Sequence, residues 1–178
     1  MSVLAILSAF VVSTTFGGNS TLADASRLVR AMQVDRGILL GLQIQFRRNQ
    51  QGDASKKLAE CLNSADTSFL VGIIADAIAK EMSIGEIRAA TLFFESAVGK
   101  KYVQRDIIAA KKMLGFPTSS PPPDFSEEER AVVEDFSQTT AGEKLLRKRI
   151  TDSDSVWRAL MPKAEEIIRA CAKSTEKS

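Results

Sequence analysis

The chain of 178 residues carries 24 basic and 22 acidic side chains, a net charge of +2, and 44% apolar residues, the make-up of an ordinary globular protein with room for a buried core. Charge this evenly balanced argues against a dedicated nucleic-acid binder, which concentrates basic groups on one face. Histidine is absent, which excludes Ser-His and Cys-His nucleophile pairs and removes the commonest metal ligand.

Val3 to Val12 reads VLAILSAFVV, an apolar run too short to cross a bilayer as a helix. Small and polar residues follow, ending in Thr21-Leu22-Ala23, and residues 1–23 contain no charged side chain. This is the pattern of a secretory signal peptide cut after Ala23, although its start lacks the customary Lys or Arg. The expectation is a single helical domain over 24–178, periplasmic or secreted, with no transmembrane span. The alternative is a cytosolic or membrane-apposed protein that keeps its apolar start. Cys61 and Cys171 are the 2 cysteines. In an exported chain they read as a disulfide, in a cytosolic one as two separate thiols. Neither belongs to a CxxC pair, so a thioredoxin-like role is not expected.

From Asp24 the chain reads as successive helices. Asp24 is expected to cap a short helix carrying Leu28, Val29 and Met32. Val34 to Arg48 follows, with Ile38, Leu39, Leu42 and Phe46 at helical spacing. A loop at 50–53 leads to a helix over 54–62 that carries Leu58, Cys61 and Leu62. Asp66 to Lys80 is apolar nearly all round, which places it in the middle of a bundle. Asp76 within it is a weak ligand-binding candidate if it occupies a cavity; the plainer reading gives it a wet strip or an Arg partner. Pro117 to Asp124, PTSSPPPD, predicts a stiff extended connector. Ser155 to Lys173 is amphipathic, with Trp157, Leu160, Ile167, Ile168 and Cys171 expected inward. Pro162 either kinks this helix or starts a new one. No segment alternates with period two, so the fold class is all-α: a compact bundle of about seven or eight helices.

Two segments are near copies. MSIGEIRAATLFFESAVGKKYV, over 82–103, aligns without a gap on FSEEERAVVEDFSQTTAGEKLL, over 125–146. Ser83 meets Ser126, Glu86 meets Glu129, and Phe93 meets Phe136. Ser96 meets Thr139, Gly99 meets Gly142, and Lys101 meets Lys144. Ser-x-x-Glu is a capping box that starts a helix. Met82 and Phe125 stand where a staple residue sits. Ser96 and Thr139 are natural N-caps for a second helix. Each glycine falls inside that second helix, where it costs about 1 kcal/mol against alanine, so a close approach of two backbones is the expected reason for it. Each copy therefore reads as an αα-hairpin with a tight corner.

The pattern Phe-aromatic-x-Ser-x-x-Gly-x-Lys, at Phe93 to Lys101, resembles a family of small bacterial periplasmic proteins, a domain of unknown function. The resemblance covers the first hairpin well and 28–168 more loosely. The family carries a proline after the serine; Ala97 and Thr140 stand there instead. The resemblance implies an all-helical exported protein and brings no activity, cofactor or catalytic residue.

Three readings of function stay open. The first is a non-enzymatic binding or protein-interaction module of the bacterial envelope, its partner an envelope protein or an apolar small molecule. The second is a hydrolase or lyase in which at least two of Asp76, Glu86, Glu129 and Ser96 converge. The third is the protein that retains its apolar start. Capping accounts for both glutamates and for Ser96, so no catalytic residue, metal site or cofactor is assigned. Gly99-Lys100-Lys101 lacks the glycine spacing of a phosphate loop.

Overall fold

A computed structural model describes residues 17–47, 60, 61, 64, 66, 68–113 and 115–175. The loop expected at 50–53 and most of the helix expected over 54–62 lie outside the described residues, as does the apolar run near the start. Among the described residues the protein is all-α, with no strand. The helices are α1 (Gly17–Met32), α2 (Val34–Arg47), α3 (Ser68–Glu81), α4 (Ile84–Glu95), α5 (Ala97–Met113), α6 (Glu127–Gln138) and α7 (Asp154–Thr175). Between α6 and α7 lies a short helix, Thr140–Gly142, that runs on as π-helical turns over Glu143–Arg147; a 3₁₀ turn follows over Ile150–Asp152.

The centre is α3. Its apolar sides meet α1, α2, α4, α7 and the 3₁₀ turn, and Leu70, Val71, Ile74, Ala75 and Ile78 are buried there. Helix α1 lies along both α3 and α4, contributing Ala25, Leu28 and Val29, all fully buried. Burying Leu28 or Val29 stabilises the fold by about 1.5–3 kcal/mol each. Two ion pairs rim the α1–α4 contact, Arg88 to Asp24 at 2.9 Å and Arg27 to Glu95 at 2.6 Å. Both are exposed, so they orient the helices more than they stabilise them.

Two expectations need correction, and for Pro162 one of the two alternatives falls. Asp24 does not cap a helix: α1 begins at Gly17 and passes through it, and its carboxylate accepts from Arg88 instead. The break comes at Gln33, whose φ of 52° turns the chain into α2. Trp157 is not inward. The stripe that α7 buries is Val156, Leu160, Ala164, Ile168 and Cys171, and Trp157, one residue round the helix, is 37% exposed. Pro162 starts no new helix, since α7 continues through it. Having no N–H, it leaves the Arg158 carbonyl without its helical donor.

Cys61 is bonded to Cys171, with Cα atoms 5.7 Å apart and 110 residues between them. The bond ties the end of α7 to the segment that precedes α3. Residues 117–124 carry no helix or strand and lead from α5 to α6. No described helix is long and apolar enough to cross a membrane.

Candidate functional site: a crossed junction of two helix corners

The residues that stand out in the sequence gather at two corners. Ser83 precedes α4 in extended conformation, and its hydroxyl accepts from the Glu86 amide at 3.3 Å. The Glu86 carboxylate accepts from the Ser83 amide at 2.6 Å. Ser126 and Glu129 repeat the arrangement at α6, at 3.2 and 2.8 Å. Each box satisfies two backbone donors that a helix start otherwise leaves open.

A single residue separates the helices at each corner. Ser96 ends α4, and its hydroxyl both donates to the Phe93 carbonyl at 2.7 Å and accepts from the Gly99 amide at 3.0 Å. Thr139 does the same between Phe136 and Gly142, at 2.7 and 3.0 Å. So tight a corner presses the second helix onto the last turn of the first. A Cβ at Gly99 would lie 2.0 Å from the Phe93 carbonyl oxygen, and one at Gly142 would lie 1.9 Å from that of Phe136. No L side chain fits there.

The corners face each other. The Phe93 and Phe136 rings stack with centroids 3.9 Å apart and planes within 7°. Phe94 meets both rings edge-on. Around this stack the lysines cross over. Lys101, after the first corner, donates to Glu129 at the start of α6 at 2.5 Å. Lys144, after the second, pairs with Glu86 at the start of α4 at 2.9 Å. Lys144 also donates to the Glu81 carbonyl at 2.8 Å, so one ammonium serves the end of α3 and the start of α4. The Lys101 ammonium also stands 5.5 Å from the centre of the Phe125 ring, with the Arg105 guanidinium at 5.4 Å. Phe125 is thus held by cations where Met82, in the corresponding place, is buried.

These contacts set the charges. Lys144, and then the Ser83 amide, hold the Glu86 carboxyl below the ordinary 4.5. Lys101, and then the Ser126 amide, do the same for Glu129. Both glutamates are therefore anions at neutral pH and poor proton donors. Ser96 has its hydroxyl proton committed to a carbonyl. Asp76 lies outside the junction on the exposed side of α3; its side chain is 58% exposed and pairs with Lys80 at 2.6 Å. A side chain this exposed does not sit in the cavity that would recommend it as a ligand site. Ser96 closes α4 at the opposite end from Glu86, about 15 Å of helix away, and each glutamate is taken up by a lysine.

Sequence reasoning missed three features. The lysines were aligned with each other, but the crossing of their partners depends on how the hairpins dock, which no spacing encodes. Tyr102 and Asp106 on α5 lie near Arg149; burial is the main cause that pushes the Asp106 carboxyl up, with Arg149 opposing it. Burial and then Asp106 push the Tyr102 phenol up. The third feature is an open groove of about 530 Å3 on α7. It is lined by the apolar Trp157, Met161 and Pro162 and by the charged Asp154, Arg158, Glu165 and Arg169. Among the described residues, every lining group comes from this one helix. A stripe through Val156, Leu160 and Ala164, weighed against one through Trp157, would have found it.

No group of three or more His, Cys, Asp and Glu side chains that could hold a metal occurs among the described residues, and no buried side-chain polar atom there lacks a hydrogen-bond partner. No family model, curated protein or solved structure matches the chain.

Proposed function

We propose that the protein is an exported, non-catalytic interaction module of the bacterial envelope, built around a duplicated helix corner. One observation carries this reading: every reactive group of the repeated motif is already engaged. Ser96 and Thr139 bridge a carbonyl and an amide, and Glu86 and Glu129 each hold a cap and a lysine. A general acid needs a proton to give and a serine nucleophile needs a base to take its proton; lysines and caps hold both glutamates as anions, and the Ser96 proton is directed to a carbonyl. The likeness of the motif to the periplasmic family of unknown function supports the same reading.

Two further features support export. The Cys61–Cys171 bond belongs to an oxidising compartment. From Ser20 onward the first buried side chain of α1 is Ala25, whereas Leu22 is 42% exposed and Ser20 and Ala23 are also exposed. A cut after Ala23 therefore removes no buried side chain between Ser20 and Ala23. Intact-mass analysis of the protein from its own cells tests the reading. The expected product begins at Asp24 and is lighter by two hydrogens than the reduced chain. A reduced chain that keeps residues 1–23 would overturn export. Turnover of ester, amide or glycosidic substrates that is abolished by Ser96→Ala or Glu86→Gln in a still-folded protein would overturn the non-catalytic assignment.

A further inference from the structure

The outer face of α7 has a charge order that reads the same from either end once acid is exchanged for base. Asp154 and Arg169 stand equally far on either side of the Met161–Pro162 bond, and so do Arg158 and Glu165. All six line the open groove with Trp157. We infer that this face is a docking surface for a second copy of the chain, with the two α7 helices antiparallel about a two-fold axis at Met161 and Pro162.

In that arrangement Asp154 lies opposite Arg169 of the second copy, and Arg158 lies opposite its Glu165. Two-fold symmetry doubles each contact, giving four ion pairs about an apolar centre of Met161 and Pro162 from each copy, with a Trp157 ring flanking the inner pairs on either side. The alternatives are repulsive. Parallel pairing brings each charge against its own kind. Sliding the antiparallel pair by one helical turn sets Asp154 against Glu165, or Arg158 against Arg169. Orientation and register are therefore both specified, attraction in one and repulsion in the others. The charges are also available. Within one chain Glu165 and Arg169 approach only to 3.9 Å, with side chains 59% and 72% exposed. The Arg158 Nε donates to the Asp154 carbonyl at a long 3.3 Å.

The face from Asp154 to Arg169 runs for about 24 Å of helix. One helix pair of that length buries less than a standard interface of about 1,600 Å2, so the dimer is weak and salt-sensitive. The inference rests on the reading of the protein as an interaction module and names its partner.

Sedimentation of the full chain over a concentration series tests it, with circular dichroism melts to establish that each variant is folded. Wild type is expected to dimerise at tens of micromolar in low salt, and roughly tenfold more weakly in high salt. Arg158→Glu and Glu165→Arg, each alone, put like charges opposite one another and are expected to remain monomeric over the same range. Mixed in equal amounts, the two variants regain four attractive pairs and are expected to form a heterodimer. Wild type that stays monomeric to about 1 mM, a dimer indifferent to both substitutions, or a mixture that fails to associate would each overturn the inference. Each of these leaves the mass and turnover tests of export and non-catalysis standing, so the two readings fail separately.

Discussion

Gly99→Ala replaces one hydrogen by a methyl group, and in most helices it would be welcome. Here the new Cβ would sit 2.0 Å from the Phe93 carbonyl oxygen and 2.7 Å from the Phe94 Cα. An ordinary carbon–oxygen contact is about 3.3 Å or more, so the corner has to open by more than about 1 Å. The atoms in the way are backbone, and no rotamer change relieves them. Opening the corner gives up the Ser96 cap, about 1 kcal/mol, and strains the packing of the Phe93–Phe136 stack, about 1–3 kcal/mol. Better helix propensity returns about 1 kcal/mol. The net loss is about 2 kcal/mol, or about 4–8 °C in Tm for a chain of this size. Gly72→Ala is the control. Gly72 lies in α3 with nothing within 4 Å of its would-be Cβ, so the same change there should stabilise by about 0.5–1 kcal/mol. Urea denaturation followed by circular dichroism reads both. Opposite signs for one chemical change are the signature of the corner. A Gly99→Ala protein as stable as wild type would refute the close approach as the reason for glycine.

Further outcomes follow from the junction and the disulfide. Glu86 and Glu129 have carboxyls depressed below 4.5 in the fold, so their stabilisation is fully present above that pH and is lost as pH falls through their lower folded values; the acid limb of a Tm-against-pH curve should flatten in Glu86→Gln/Glu129→Gln. Reducing Cys61–Cys171 frees a closure of 110 residues, which on chain-entropy grounds should lower stability by about 4–5 kcal/mol, measured as the shift in urea midpoint with and without reductant. Ser83→Ala removes one cap and should cost about 1 kcal/mol; an unchanged denaturation midpoint would mean that Lys144 and Glu86 hold the start of α4 without it. Phe136→Ala opens the ring stack and should cost about 3–5 kcal/mol, read in the same denaturation assay.

What could be read from the sequence was local. A capping box is four consecutive residues, and Ser83 to Glu86 contain all that it needs. A glycine that recurs at the same place in both copies of a helix corner suggests a close neighbour without saying which, and for Gly99 the neighbour is the Phe93 carbonyl. Two cysteines in an all-helical chain leave one pairing to consider. What could not be read was set by docking. Whether Lys101 meets Glu86 or Glu129 depends on how the second hairpin turns against the first. Trp157 was placed inward on hydrophobicity alone, yet α7 buries one stripe, and Val156, Leu160 and Ala164 filled it with smaller side chains. Asp24 is of the residue type that caps helices, yet α1 begins at Gly17 and runs through it.

The crossed lysines also bear on how this protein can change over generations. Lys144 stands in the second corner, but the helix it steadies is α4; Lys101 stands in the first and steadies α6. Drift in either half is therefore policed by the other. A defect mapped to the beginning of α4 can originate some sixty positions downstream, and its compensating change is to be sought there.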